Sequence, residues 1–230
     1  DAETEVLLLG CRSSIIPEGT VVIGEGAFAG CELLTEIKIP TSVTTIMPGA
    51  FSGCNFVTKL EISASVTELT GAFEGLKNLT TIVIDENNPR YTVVDNCIME
   101  KKTNTLVLSN SNAVIPEGTV IIGEGAFAGN TNITSIVIPE TVVYQNVTYC
   151  VKGIAGGAFK GCSALTSVAI PESVNEIDFN AFDGCTSLSA IHIPKKVKVI
   201  KDETFRACSS LTSIKLPANI RSISHGAFKG

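Results

Sequence analysis

Apolar residues recur along this chain at fixed steps, most clearly between Ala158 and Phe182. Counted from Phe159, apolar or small residues follow at three, six, nine, eleven, fifteen and eighteen residues, and Phe182 restarts the pattern after 23 residues. A fixed period in this range is typical of repeat proteins, in which each unit buries its apolar face against its neighbours. The pattern therefore predicts a stack of coils rather than one central core.

A column of phenylalanines follows the same period, at steps of 23, 22, 54, 32, 23, 23 and 23 residues: Phe28, Phe51, Phe73, Phe127, Phe159, Phe182, Phe205 and Phe228. The two long steps exceed one period by 31 and 9 residues, so each indicates an insertion. Strand-like runs flank Asp95-Asn96 in the first insertion and Gln145-Asn146 in the second. They predict a β-hairpin near residues 85–112 and another near 142–152.

Within one repeat, Leu165, Val168 and Ile170 form the L-x-x-L-x-L frame of a leucine-rich-repeat strand. Pro171 ends this strand because it has no N–H to donate. A second extended segment follows, and a buried Phe with a Gly two residues later turns the chain at the corner. The predicted fold is a β-rich, right-handed leucine-rich-repeat solenoid with short parallel strands, 23-residue repeats and two β-hairpin insertions. We expect residues 1–230 to form a single array within a longer protein.

The motif A-F-x-G-C-x-x-L-x-x-I-x-I-P-x-x-V-x-x-I resembles the BspA-like, or Treponema-type, class of leucine-rich repeats over nearly the whole chain. The segments IDENNPRYTVVDNCIMEKKTNTLVL and YQNVTYCV also resemble elements that recur in that family. The resemblance implies a bacterial cell-surface or secreted protein, located outside the cell, that binds other proteins. It further implies adhesion to host matrix proteins such as fibronectin and fibrinogen. The alternative is a structural stalk that presents another domain and has no ligand of its own.

Composition narrows the classes of partner. The net charge is −6 and the pI is about 5.0, which argues against nucleic acid because its binding needs a basic face. No apolar run approaches the roughly 18 residues of a membrane span. The densest basic group, between Lys195 and Lys201, is interpreted as a solvated face.

Five of the eight cysteines share one register of the repeat: Cys31, Cys54, Cys162, Cys185 and Cys208. No C-x-x-C spacing indicates a metal site. Stacked side chains point in parallel about 4.8 Å apart, whereas the Cβ atoms of a disulfide are about 3.8 Å apart. We therefore predict buried, reduced thiols that act as small apolar residues. The sequence leaves Cys11, Cys97 and Cys150 unassigned.

The sequence predicts no enzyme and no cofactor. His192 should face outward from its strand, with no evident catalytic partner. The adjacent acids Asp85-Glu86 and Asp202-Glu203 lie in turns rather than facing each other across a cleft, as glycoside hydrolysis requires. The N-x-T sequons at Asn78, Asn132 and Asn146 are interpreted as chance occurrences in a Thr-rich repeat.

The candidate ligand-binding site is the strand face, which consists of the side chains that alternate with the inward ones on the repeat strands. Its members are Glu36, Lys38, Lys59, Glu61, Thr81, Val83, Ser135, Val137, Ser167, Ala169, Ala190, His192, Ser213 and Lys215. A Thr or Ser column flanks it, and repeat proteins use such extended faces to bind proteins. Because aromatic anchors are scarce on this face, Tyr91, Tyr144 and Tyr149 of the hairpins are rival contact sites. The sequence leaves the ligand and the oligomeric state open.

Overall fold

A computed structural model describes residues 6–7, 15–110, 115–144 and 146–230, and these ranges contain twenty short strands and no helix. In chain order the strands are β1 (Val6–Leu7), β2 (Val22–Ile23), β3 (Glu36–Lys38), β4 (Thr45–Ile46), β5 (Lys59–Ile62), β6 (Thr81–Ile84), β7 (Tyr91–Val94), β8 (Cys97–Glu100), β9 (Thr105–Leu108), β10 (Ile121–Ile122), β11 (Ser135–Val137), β12 (Thr141–Tyr144), β13 (Val147–Cys150), β14 (Gly153–Ile154), β15 (Ser167–Ala169), β16 (Glu176–Ile177), β17 (Ala190–His192), β18 (Val199–Ile200), β19 (Ser213–Lys215) and β20 (Ser222–Ile223).

Equivalent strands of successive coils pair in parallel. One side of the solenoid contains the sheets β3-β5-β6, β11-β15 and β17-β19, and the other contains β1-β2-β4, β10-β14-β16 and β18-β20. Glu36 pairs with Lys59, 23 residues later, and Ala190 pairs with Ser213 at the same separation. Strand residues that are one predicted period apart in the sequence are therefore paired neighbours in adjacent coils. The three-residue strands β3, β11, β15 and β17 each bury the central apolar residue and expose both neighbours.

The phenylalanines form two stacks in the core. Phe28, Phe51 and Phe73 make the first, and Phe127 to Phe228 make the second, with ring centroids 4.9 to 5.5 Å apart. Stacked rings at this spacing gain dispersion energy along the whole column. The prediction of buried corners is confirmed for all members except Phe228, which is 38% exposed because no described coil packs against its outer side.

The first insertion takes the place of one coil on the side of the solenoid that contains β10-β14-β16. β7, β8 and β9 form an antiparallel meander, and β9 pairs in parallel with β10, so one sheet runs β16-β14-β10-β9-β8-β7. The described residues of the insertion contribute no phenylalanine corner of their own. The Gly75 N–H donates a hydrogen bond to the Ala128 carbonyl, 2.8 Å away, so the corner of Phe73 adjoins that of Phe127 directly.

β8 lies between the two halves of the core and is buried at all four positions. Ile98 packs in the cluster formed by residues 16–82, and Cys97 and Met99 pack in the cluster that extends to residue 227. A register shift pairs Ile98 with Leu108 and Met99 with Leu106, so β9 also supplies one leucine to each cluster. A β-bulge permits this because the extra residue reverses the alternation of side chains.

The second insertion is a two-stranded antiparallel hairpin, β12-β13, in which Tyr144 pairs with Val147. Asn146 in its turn has a φ of 62°, a conformation that Asn tolerates better than most residues. Val142 is buried at the base, while Val143 and Val147 are half exposed. The two predicted hairpins are therefore both present, and only the first contributes to the main core.

Candidate functional site

The structure places the predicted strand-face residues in two rows that run along the solenoid. The first row begins with Glu36, Lys59 and Thr81, which are paired neighbours, and the second begins with Lys38, Glu61 and Val83. The same two rows continue on the remaining repeat strands as Ser135, Ser167, Ala190 and Ser213, and as Val137, Ala169, His192 and Lys215. All of these side chains are exposed except those of Lys59 and Glu61, which are partly buried.

The strand face is not continuous, because the tip of the first insertion divides it. Asn96 Oδ1 accepts a hydrogen bond from the Ile82 N–H, 2.8 Å away, and Asn96 Nδ2 donates to the Thr80 carbonyl. In the part of the chain that the structure describes, no ladder joins β6 to β11 and none joins β15 to β17, but it is at the first of these gaps that Asn96 bonds to the strand edge. The predicted face is therefore two surfaces: β3-β5-β6 on one side of Asn96, and β11, β15, β17 and β19 on the other.

Charges on the first surface are balanced, and two of them form an ion pair. Lys59 Nζ lies 2.5 Å from Glu61 Oε1, and this hydrogen bond raises the pKa of Lys59 and lowers the pKa of Glu61. Across the strands, Glu36 adjoins Lys59 and Lys38 adjoins Glu61. Acids and bases therefore alternate in both directions, and this surface has no excess of either sign.

His192 has an ion-pair partner that the sequence did not reveal. His192 Nε2 lies 3.1 Å from Glu172 Oε1, and Glu172 Oε2 accepts a hydrogen bond from the Lys195 N–H at 3.0 Å. The hydrogen bonds from His192 and from the Lys195 backbone lower the pKa of Glu172. Sequence reasoning missed this pair because Glu172 lies in the preceding coil, 20 residues away.

The Thr and Ser column beside the strand face bonds to the backbone. Thr58, Thr80 and Thr166 each donate a side-chain hydrogen bond to the carbonyl of the equivalent residue one coil earlier, at 2.8 to 3.2 Å. Two sequon asparagines also bond to the backbone of the neighbouring coil, since Asn78 donates to the Asn55 carbonyl and Asn132 to the Lys77 carbonyl. These side chains connect successive coils, which accounts for the abundance of Thr at this edge.

Two large apolar side chains beside the first surface escaped the sequence analysis. Leu33 is 64% exposed and Phe56 is 55% exposed, and they occupy equivalent positions three residues before β3 and β5. The sequence carried one signal, which is that Phe56 lies outside the phenylalanine column. The repeat predicts core positions for the phenylalanines of the column, but it gives Phe56 no place in the core.

Of the hairpin tyrosines, the two whose side chains the structure describes are buried or partly buried. Tyr91 is 1% exposed and its hydroxyl donates to the Thr67 carbonyl, so its prediction as a contact residue is wrong. Tyr149 is partly buried on β13, and the side chain of Tyr144 lies outside the described residues. Among the aromatic residues beside the strand face, Phe56 is therefore more accessible than either described tyrosine.

The cysteine column is buried, as predicted, and its thiols are also hydrogen-bond donors. The Sγ atoms of Cys54, Cys162, Cys185 and Cys208 lie 3.1 to 3.2 Å from the carbonyls of Phe28, Phe127, Phe159 and Phe182, respectively. Burial raises the pKa of Cys54 and of Cys208 to about 11, and that of Cys162 to about 12. Of the unassigned cysteines, Cys97 is buried, Cys150 is partly buried, and Cys11 lies outside the described residues.

No group of three or more His, Cys, Asp or Glu in the described ranges is arranged to hold a metal ion. Those ranges also contain no helix that is long and apolar enough to cross a membrane.

A family model for the BspA-type leucine-rich repeat region matches residues 10–117, 107–148 and 144–230 in six copies, so the chain belongs to that family. No curated protein matches. A leucine-rich cell surface protein of Faecalibacterium prausnitzii is 25% identical, with a TM-score of 0.56 over 83% of this chain and 62% of its own length. A leucine-rich repeat protein of Eubacterium ventriosum is 20% identical, with a TM-score of 0.60 over 93% of this chain and 81% of its own. The chain thus spans less than two thirds of the first of these proteins.

Proposed function

We propose that this chain is a protein-binding scaffold, located outside the bacterial cell or at its surface, with an adhesin-like role toward host or matrix proteins. The proposal includes no enzymatic activity and no cofactor. It is supported by membership of the BspA-type family and by the cell-surface description of the Faecalibacterium relative. The observation that carries it is the exposure of Leu33 and Phe56 beside the paired charges of β3 and β5.

This arrangement has the composition of a protein interface. A few aromatic and large aliphatic side chains contribute most of the binding energy, and surrounding polar residues exclude water from them. Leu33 and Phe56 provide the apolar centre, and the pairs formed by Glu36, Lys38, Lys59 and Glu61 provide the rim. Lys59 and Glu61 are ion-paired, and Glu36 and Lys38 lie opposite them on the neighbouring strand, so a partner that covers this rim covers equal numbers of acids and bases.

The structural stalk is the second candidate, and the phenylalanine stacks favour it. Five rings from Phe127 to Phe228 stack with interplanar angles of 2 to 8°, and hydrogen bonds connect each coil to the next. Such a stack resists bending whether or not it has a ligand. The binding experiment below separates the two candidates.

The test is a binding screen of the chain against immobilised matrix proteins, including fibronectin and fibrinogen, and against glycans, at low and high salt. The double variant Leu33→Ser/Phe56→Ser removes the apolar centre, and Val147→Ser is the matched control because Val147 is similarly exposed on the second hairpin. We expect saturable binding that the double variant weakens about ten-fold or more and the control leaves unchanged.

Two results would contradict the proposal. A folded sample that binds nothing on the panel supports the stalk. Saturable binding that Leu33→Ser/Phe56→Ser leaves unchanged places the contact elsewhere and overturns the assignment of the β3-β5-β6 surface.

A further inference from the structure

The first insertion divides the hydrophobic core into two parts. One cluster contains the buried apolar side chains of residues 16–82, which we name the first unit, and the other contains those from residue 122 to 227, which we name the second unit. The layer formed by β7, β8 and β9 lies between the units and supplies side chains to both: Tyr91, Ile98 and Leu108 to the first, and Cys97, Met99 and Leu106 to the second. Because shared apolar burial is what couples neighbouring coils, the layer marks a change in that coupling.

The phenylalanine column is interrupted at the same place. Phe51 stacks on Phe73 in the first unit, and Phe127 stacks on Phe159 in the second, with ring centroids 5.4 and 4.9 Å apart. Phe73 and Phe127 belong to adjoining corners, but their rings are not a stacked pair and instead line a cavity of about 10 Å³. Dispersion energy falls steeply across such a gap, so the two stacks are weakly coupled.

Backbone hydrogen bonds between coils also change at this junction. Within the second unit, the Phe127 N–H donates to the Ala158 carbonyl of the next coil, 2.8 Å away. The equivalent carbonyl at the junction, that of Ala126, accepts instead from the Ser109 N–H of the insertion at 2.9 Å. Among the described residues, the bond from the Gly75 N–H is therefore the backbone hydrogen bond that remains between the two corners.

The β7-β8-β9 layer is joined to the two units by different kinds of bond. β9 pairs with β10, so the layer continues a backbone ladder of the second unit. Toward the first unit the described bonds use side chains, such as the Tyr91 hydroxyl, which donates to the Thr67 carbonyl at 3.3 Å. Arg90, just before β7, donates to the same carbonyl at 2.6 Å, and the side chain of Asn96 bonds to the edge of β6. Each of these bonds contributes little net stability because water replaces it on opening.

The corners of the two units approach each other more closely than equivalent corners do elsewhere. A Cβ atom placed on Gly129 would lie 2.8 Å from the Cα of Gly75, whereas one on Gly161 or Gly184 would lie 3.5 to 3.7 Å from the preceding corner glycine. The units therefore meet at this edge and are separated by the β7-β8-β9 layer on the side of the solenoid that contains β10. This is the geometry of a joint between two bodies rather than of one continuous stack.

We propose that the β7-β8-β9 layer makes this array two cooperative units that open independently, with the layer remaining attached to the second unit. Cooperativity in a repeat array passes only through the interfaces between neighbouring coils, and regions that share few apolar contacts open separately. Leu33 and Phe56 both lie in the first unit, so opening of that unit removes their surface while the second unit stays folded. The inference does not depend on the function proposed above, because it concerns the folding of the chain and not its ligand.

The test is hydrogen exchange of the whole chain, measured by mass spectrometry, in the unmodified protein and in the variants Phe51→Leu and Phe182→Leu. Both rings are fully buried, and each stacks on a ring at either side, so each variant is the matched control for the other. Leucine keeps the position apolar, so we expect both variants to fold. The amides that report are the slowest to exchange in each unit, because they exchange only when the whole unit opens.

We expect Phe51→Leu to accelerate exchange of the slowest amides about ten-fold or more in the first unit and less than about three-fold in the second, and Phe182→Leu to do the reverse. The change between the two levels should fall at the junction of the Phe73 and Phe127 corners.

Two results would overturn the inference. Similar acceleration in both units by either variant shows that the array opens as one cooperative body. Acceleration that declines evenly from coil to coil, with no step at the junction, shows that the layer is not a boundary. If a variant does not fold, exchange of the unmodified protein in increasing urea decides: two groups of slow amides, one for each unit, support the inference, and one group that contains both units overturns it.

Discussion

The thiol of Cys185 donates a hydrogen bond to the backbone carbonyl of Phe159, 3.2 Å away and 26 residues earlier in the chain. The same contact recurs at Cys54, Cys162 and Cys208. Each thiol therefore donates a hydrogen bond to the backbone carbonyl of the corner phenylalanine in the preceding coil. At this position of the repeat, a cysteine side chain is small and can also donate a hydrogen bond, which alanine cannot do.

Replacing Cys185 with Ala should cost about 1–3 kcal/mol of unfolding free energy, because the change leaves a small cavity and an unpaired carbonyl. Cys150→Ala is the control, since Cys150 is only partly buried and lies outside the register; it should cost less than about 0.5 kcal/mol. Urea denaturation measures both. Equal costs for the two variants would contradict the role of the thiol contact.

The buried thiols should make the protein less stable at alkaline pH. Burial raises the pKa of Cys162 to about 12 and that of Cys54 and Cys208 to about 11, above the value of 9.0 for an unperturbed thiol. Below pH 9 the thiols are protonated in both the folded and the unfolded state, so the stability that the buried thiols contribute is fully present. Above pH 9 only the unfolded state ionises, so stability falls until the folded-state pKa is reached. Denaturation midpoints between pH 8 and pH 10.5 should decline, and less steeply when Cys54, Cys162 and Cys208 are all replaced by Ala.

Phe182 and Phe228 differ in how many neighbours stack on them. Phe182 packs between Phe159 and Phe205, whereas Phe228 stacks on Phe205 alone and is 38% exposed. Phe182→Ala should cost about 3–5 kcal/mol, and Phe228→Ala should cost about half of that or less. Chemical denaturation of both variants checks the difference. A cost below about 1 kcal/mol for Phe182→Ala would contradict its place in the core.

Ala207 occupies a backbone position that glycine holds in the preceding coils. Its φ is 55°, and the equivalent Gly184 has a φ of 74°. Left-handed backbone costs a residue with a Cβ roughly 1–2 kcal/mol, partly offset by the greater chain entropy of an unfolded glycine. Ala207→Gly should therefore stabilise the protein by about 0.5–1 kcal/mol, and Gly184→Ala should destabilise it by about as much. Thermal denaturation tests both signs, and the same sign for both changes would refute the argument.

Asn96 holds the first insertion against the edge of β6. Asn96→Gly preserves its φ of 57° but removes the acceptor for the Ile82 N–H and the donor to the Thr80 carbonyl. We expect a cost of about 1–3 kcal/mol, because the Ile82 N–H is left without its partner. Asn104→Gly is the control, since Asn104 also has a positive φ, of 54°, and lies in the turn before β9. Hydrogen exchange of the Ile82 amide should accelerate in the first variant only.

The sequence by itself determined the period, the inward positions and the two hairpins. Phe159, Leu165 and Val168 have equivalents at fixed steps along the chain. Whether a side chain points inward depends on the local backbone of its own coil, so the periodicity of apolar residues is enough to predict it. The resemblance to the BspA-type repeat rested on the same positions. The turn residues Asp95-Asn96 and Asn146 located the hairpins for an equally local reason.

Only the tertiary structure decided which side chains of different coils meet. The division of the strand face by Asn96, the pairing of His192 with Glu172 and the thiol contact of Cys185 with Phe159 all join residues 14 or more positions apart. The exposure of Phe56 likewise depends on stacking. A repeat fixes which positions face inward, but contacts between coils depend on the register of the stack and on the insertions that interrupt it.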